Sequence, residues 1–418
     1  MKFLRRKPTL AFIGVILVAV VYSMLQPSHS GDYLSQWQET GAEINQDAAS
    51  DDDVVTLEFT SNSTRWGSKD IPFEITRLRN LEKLSLTANH FPAEIGKLGN
   101  LKELTLIGNQ LSIVPNLQRL EHLESLTLKC RFLDLSSRLG KLPPLKSIDL
   151  DSNRFTTFPK EVANVATLAN LSLRENRIES IPLNLQNLSN LKRLDLSHNK
   201  IFELPAQTSK LLNLETLSLD NNAFVSLPRV ICSLDKLQVL HLANNKIISI
   251  PNDIGKLRTL RTLDLNNNRI IHLSRQIGKL ESLKELYLSD NKLTALPSEI
   301  GSLTNLTSLD LRENHLVRLP ARFVNLTNLT ELDLSYNPLS ELPLEFENLI
   351  KLERISFRHT FLTVHDVKKL TKFPNLKKID ISGISITKSE LETLKRELPN
   401  TDFDVNPWST ATSLPKER

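Results

Sequence analysis

Side chains able to do chemistry are spread thinly along this chain. The best suited to nucleophilic or metal work are two cysteines, Cys130 and Cys232, and nine histidines. They do not cluster: His198, His241, His315 and His359 fall tens of residues apart. There is no phosphate-cradling glycine loop, no H-E-x-x-H pair for zinc, no C-x-x-C and no nucleophile elbow, so no catalysis, cofactor or resident metal is expected. Recognition chemistry does concentrate. Tyr287, Asp310, Arg312, Asp333 and Tyr336 fall close together, with Arg358 beyond them and His241 before them. Tyrosine and arginine offer large, rigid or multiply hydrogen-bonding contacts and are enriched where binding energy concentrates. Asp310 and Asp333 alone make a poor calcium cage, because that ion wants about six oxygen ligands or more.

These residues can act together only if the chain folds them onto one face, and the leucine spacing says that it does. A leucine recurs every 23 residues at 145, 168, 191, 214, 237, 260, 283, 306, 329 and 352. Each period opens L-x-x-L-x-L-x-x-N, as in Leu237, Leu240, Leu242 and Asn245, and most continue through an apolar pair to Pro-x-x-Ile, as in Ile247, Ile250, Pro251 and Ile254. Alternation of Leu240 and Leu242 with His241 and Ala243 is a period of two, the mark of a short strand with one buried face. Identical strands joined by crossovers lie parallel, about 4.8 Å apart. Asparagines 153, 176, 199, 222, 245, 268, 291, 314 and 337 fall where the chain leaves each strand, and their amides can satisfy the turning backbone. Prolines 159, 182, 205, 228, 251, 297, 320 and 343 fix φ where the chain runs back. One such unit buries too little to fold alone, so stability comes from stacking and both ends need caps.

This pattern resembles the leucine-rich repeat family, over roughly residues 54 to 386. The resemblance implies an α/β solenoid, a curved right-handed horseshoe with a concave parallel β-sheet and a mostly irregular or short-helical convex side. It also implies a scaffold that binds a partner protein, or a glycan, through the concave face. Animal extracellular members carry disulfide-bonded caps and plant ones a glycine-containing return segment. This chain has neither and resembles bacterial exported members. Its L-P-x-x-I-G-x-L segments, as at Leu296 to Leu303, also look like those of intracellular Ras-binding repeat proteins, a role that the export segment described below opposes.

The fifth, seventh and eighth positions of each repeat are expected to point into the concavity. The fifth reads Asp149, Ser172, Asp195, Ser218, His241, Asp264, Tyr287, Asp310, Asp333 and Ser356, and the seventh includes Asp151, Arg174, Asp220, Arg312 and Arg358. On this register Tyr287, Asp310, Arg312, Asp333 and Tyr336 come from three successive repeats and lie within roughly 15 Å. Beside the asparagines runs a basic file, Arg154, Arg177, Lys200, Lys246, Arg269 and Lys292, expected to pair with neighbouring acids and keep the molecule soluble.

Outside the regular repeats of 145–351 the pattern loosens. Earlier repeats start at Val54, Leu81, Leu101 and Leu123, and Arg131 takes the asparagine position beside Cys130, predicting a local irregularity. Trp66 and residues before Val54 are expected to cap that end. At the other end Thr360 replaces asparagine, the return segments become helical after Leu362, and Thr387 with Glu390 reads as a capping box. Leu391, Leu394 and Leu398 fall on one helical stripe, and a strand from Asp402 to Val405 would close the core. Residues 54–405 thus form the solenoid and 406–418 a disordered tail.

Residues 1–30 are a separate module: Lys2, Arg5, Arg6 and Lys7, an apolar run from Thr9 to Leu25, then Ser28 and Ser30. They read as an export signal cleaved before Gly31, or as an uncleaved anchor tethering the protein through residues 9–25. The product is then secreted or periplasmic, or membrane-anchored as a structural or envelope protein. Residues 31–53, ending in Asp51, Asp52 and Asp53, form an acidic flexible linker. Residues 1–30 hold four basic side chains and no acid, which leaves 48 basic against 48 acidic in the rest. A neutral chain has no excess charge to neutralise phosphates, so nucleic acid is not an expected partner. Cys130 and Cys232 lie four repeats apart, about 20 Å along the stack, too far to bridge.

Overall fold

The computed structural model describes residues 43–44, 55–60, 75, 77–88, 91, 93–108, 117–130 and 142–405. The export segment, most of the acidic stretch, Trp66, Arg131 and the tail 406–418 lie outside the described residues. No described helix is long and apolar enough to cross a membrane. The chain forms two compact units, one of residues 1–155 with 159–168, the other of residues 156–158 with 169–418.

In the first unit the strands Thr56–Thr60, Lys83–Thr87, Glu103–Gly108, Ser125–Cys130 and Ser147–Asp149 pair in parallel. The first four begin two residues after Val54, Leu81, Leu101 and Leu123, so the register holds although the spacing does not. Glu43–Ile44, inside the stretch expected to be linker, pairs antiparallel with Leu57 and Glu58. It covers backbone groups that the edge strand would otherwise present unpaired.

The second unit is a regular solenoid. Its strands run from Asn170–Ser172 through Arg193–Asp195, Thr216–Ser218, Val239–His241, Thr262–Asp264, Glu285–Tyr287, Ser308–Asp310, Glu331–Asp333, Arg354–Ser356 and Lys378–Asp380 to Asp402–Asp404. All pair in parallel, each leucine beside the leucine one repeat away, as in Leu240↔Leu263 and Leu263↔Leu286. Alternate side chains are fully buried: Leu240, Leu242, Ile247, Ile254 and Leu257 show no exposed surface.

The asparagine ladder is built as its chemistry demands. Asn245 donates from Nδ2 to the carbonyls of Leu219 at 3.0 Å and Leu242 at 3.1 Å, and its Oδ1 accepts from Phe224 N–H at 3.1 Å. One side chain thus satisfies backbone groups of two repeats. Thr360 keeps part of this role through a 2.8 Å bond from its hydroxyl to the Phe357 carbonyl.

The return segments are short 3-10 turns, most of them entered from an extended proline such as Pro251, with φ −69° and ψ 154°. Ser274 stands where proline is missing and accepts from Gln276 N–H at 3.1 Å. Towards the C-terminal end Phe323, Phe346, Phe357 and Phe373 replace aliphatic residues, with centroids 5.9 to 6.5 Å from Phe346.

Two α-helices close that end, α1 (Val364–Lys368) and α2 (Lys388–Glu397). The predicted Thr387–Glu390 capping box is present, and Thr363 with Asp366 forms a second. Leu394 and Leu398 are buried and Leu391 half-buried. The closing strand, Asp402–Asp404, stops one residue short of the predicted Val405.

Candidate functional site

Each strand of the second unit presents its first and third residues, the third and fifth positions of the repeat, on the open face, because the leucine between them points inward. Three residues past the strand end, the eighth position takes a left-handed conformation in every regular repeat, with φ between 50° and 60° from Ser152 through His359. The turn is fixed by a backbone bond to the next repeat, such as Tyr336 N–H to the Arg358 carbonyl at 2.7 Å. Asn221, Asn244, Asn267 and Asp290 suit this conformation. Tyr336, with φ 54°, does not: left-handed backbone costs a residue bearing a Cβ roughly 1–2 kcal/mol.

The surroundings of Tyr336 offset part of that strain. The Arg312 guanidinium carbon lies 5.5 Å from its ring centroid, Arg358 lies 5.6 Å from it, and the His359 ring packs at 4.9 Å. Gly383 continues the same turn with φ 84°, and a Cβ there would lie 2.6 Å from His359 Nδ1, so only glycine leaves His359 its place. Arg312 is half-exposed and bonds Glu313 at 2.9 Å, which raises its already high pKa. Arg358 is half-buried, and its Nε is covered with no hydrogen-bond partner among the described residues.

Tyr287, Asp310 and Asp333 lie side by side in the strand register. Burial pushes the Asp310 carboxyl up, against a 3.0 Å bond from Arg312 N–H, and neighbouring Asp333 pushes it further. Burial also raises Tyr287, with Glu285 adding to it. Asp333 accepts from Ser335 N–H at 2.8 Å and from the Ser335 hydroxyl. Among the described residues no group of three or more acidic, histidine or cysteine side chains is arranged to hold a metal ion.

Six of the seven singled-out residues therefore gather: Arg312 and Arg358 around Tyr336, and Tyr287, Asp310 and Asp333 side by side on the adjoining strands. His241 stands apart. It faces Asp264 at 3.9 Å on the next strand and belongs with Asp220, whose carboxylate accepts from Ala243 N–H at 2.6 Å. Its bond to Asp264 raises its pKa against the cost of burial.

Two expectations need correction. The seventh position is covered at most of the repeats where its side chain is small: Ser197, Ala243, Ser335 and Ser382 are only 2 to 7% exposed, while Ser289 is half-buried. The Ser197 and Ser335 hydroxyls fold back onto strand carboxylates, as Ser197 does onto Asp195 at 2.6 Å, whereas Arg312 is too long to do so. The basic file pairs only in part. Lys200 approaches Glu179 only to 3.9 Å, and Lys246, Arg269 and Lys292 have no carboxylate within 4 Å among the described residues.

Sequence reasoning also missed the third-position column of Glu285, Ser308, Glu331 and Arg354, in which Arg354 pairs with Glu331 and Glu285 bonds Thr262 at 3.0 Å. The period-two alternation implied it. His359 was counted only as a scattered histidine.

Models of known families carry the same pattern. One described as a leucine-rich repeat region matches residues 183–270 and 270–401, and a leucine-rich repeat model matches residues 143–201. The chain belongs to the leucine-rich repeat family. Among solved structures, a leucine-rich repeat protein of Leptospira interrogans is 30% identical, with 81% of each chain covered and a TM-score of 0.66. An internalin of Listeria monocytogenes is 19% identical, covering 90% of this chain and 96% of its own, with a TM-score of 0.60. The leucine-rich repeat ectodomain of a plant receptor kinase from Arabidopsis thaliana, solved in complex with Casparian strip integrity factor 2, is 26% identical. It covers 80% of this chain, which spans 42% of it, at a TM-score of 0.62. No curated protein matches. The leucine-rich repeat fold is typical of protein–protein interaction scaffolds.

Proposed function

We propose that this leucine-rich repeat protein is an exported, non-enzymatic scaffold that binds a partner protein through the open, concave face of its second unit. The observation that carries this reading is Tyr336, an aromatic side chain held in a strained turn between two arginines. Strain persists where the surrounding structure over-determines it, and such sites are often functional. An aromatic ring flanked by guanidinium groups is the composition of a binding hot spot. Asp310, Asp333 and Tyr287 extend the contact, and His241 forms a second, acid-lined point on the same face. Rigid repeats lose little conformational freedom on association, so polar contacts over a broad face suffice. The receptor ectodomain solved with its protein factor shows a relative binding a protein ligand on the same kind of scaffold. Export rests on residues 1–30, with the repeats outside the cytoplasm whether the segment is cleaved or retained.

The test immobilises the chain beside an Arg312→Glu, Tyr336→Ala variant of unchanged thermal stability and captures partners from extracytoplasmic extracts. A partner held by the wild type and lost by the variant supports recognition through Tyr336, and equal capture by both refutes it. An intact mass beginning at Gly31 in the soluble fraction separates the secreted form from the anchored one.

A further inference from the structure

On the flank of the second unit, between the asparagine ladder and the return turns, an apolar side chain stands in solvent at the same place in four successive repeats. Phe202, Val225, Ile248 and Ile271 are 55, 58, 49 and 40% exposed. Single exposed apolar residues need no explanation, but a continuous file does. The residue before each is fully buried, and the one before that turns out again, giving Lys200, Ala223, Lys246 and Arg269, with Lys292 continuing the file. Backbone bonds hold the flank as a rigid second ladder: Lys246 N–H to Phe224 O at 2.9 Å, Arg269 N–H to Ile247 O at 2.8 Å, and Ile248 N–H to Val225 O at 3.1 Å. Parallel bridges Ser226↔Ser249↔His272 run alongside. Two straight files result, one apolar and one cationic, about 7 Å apart.

We propose that this flank docks an acidic amphipathic helix of a partner protein, laid along the stack. A helix advances 5.4 Å per turn and the repeats about 4.8 Å, so one apolar residue per turn meets one repeat and the mismatch over four repeats is about 2 Å. An extended strand on the same path advances about 6.7 Å per same-facing residue and is out of step after two repeats. Carboxylates beside the helix's apolar stripe fall on Lys246, Arg269 and Lys292, which have no acidic partner within 4 Å among the described residues. A second copy of this chain would bring the same cations and be repelled. The mode is helix-on-surface recognition with charge setting the orientation.

The full chain is titrated by fluorescence anisotropy with a labelled designed helix bearing leucine once per turn and glutamate along one side of that stripe. The comparisons are the same helix with lysine for glutamate, and phosphatidylcholine vesicles containing phosphatidylglycerol. The acidic helix is expected to bind, and Lys246→Glu with Arg269→Glu to weaken it roughly tenfold or more. Ile248→Ser should weaken it about fivefold, and Tyr336→Ala on the open face should change nothing. All four side chains are exposed or half-exposed, and unchanged melting confirms each fold; if Ile248→Ser melts early, the charge-reversal pair decides. No binding of the acidic helix, equal binding of the lysine helix, or indifference to charge reversal overturns the proposal. So does vesicle binding without helix binding, which would assign the flank to a lipid surface.

Discussion

Arg312 and Tyr336 come from adjacent repeats, yet the Arg312 guanidinium lies 5.5 Å from the Tyr336 ring centroid, opposite an equivalent approach by Arg358 at 5.6 Å. The contact exists because the left-handed eighth position of one repeat throws its side chain towards the seventh positions of the preceding and following repeats. Half-exposed arginine over an aromatic ring contributes about 0.5–1 kcal/mol, less than the left-handed turn costs.

Replacing Tyr336 by asparagine, the residue found at this turn in three other repeats, is therefore expected to leave stability within about 1 kcal/mol of wild type while abolishing partner capture. Urea unfolding reads the first and the capture assay the second. A stability loss above about 3 kcal/mol would make Tyr336 a packing residue instead.

The ladder asparagines behave oppositely. Asn245→Ala removes two donors and one acceptor from buried backbone groups and is expected to cost about 2–4 kcal/mol. The neighbouring exposed Lys246→Ala should stay within about 0.5 kcal/mol. Similar midpoints for the two in urea would contradict this account of the ladder.

His241 has a folded pKa raised above 6.5, first by its bond to Asp264 and then by Asp220, with burial opposing. Its contribution to stability is fully present below the unfolded pKa and is lost as pH rises through the folded value. Wild type should lose more stability than His241→Gln between pH 6.5 and mildly alkaline pH, and NMR should place the His241 titration above 6.5. A midpoint at or below 6.5 rejects the assignment.

Cys232 is buried and free, and burial pushes its thiol up to about 11. Peptide mapping after iodoacetamide treatment at pH 8 should find the Cys232 peptide unmodified in the folded protein and fully modified in urea. Because the folded pKa lies above the unfolded one, stability should fall as pH rises from about 9 through 11. Rapid labelling of the native protein would show that the return turn around Cys232 opens.

The leucine, asparagine and proline periods determined the solenoid, the parallel register and the proline-entered turns, because each is a local requirement repeated along the stack: bury an alternating face, satisfy a turning backbone, fix φ; the Thr387–Glu390 cap was equally local, read from its own pair of residues. The grouping of Tyr287, Asp310 and Asp333 followed from the same count. Tertiary structure decided what depends on side-chain length and on neighbours one repeat away. Arg312 and Arg358 close on Tyr336 while His241 turns instead to Asp264. Ser335 disappears beneath Asp333, although Arg312 at the equivalent place stands out. Lys246, Arg269 and Lys292 have no carboxylate within 4 Å among the described residues and lie beside Ile248 and Ile271. Spacing says which face a residue occupies, but only packing across the stack says whether its charge is neutralised, covered or left for a partner.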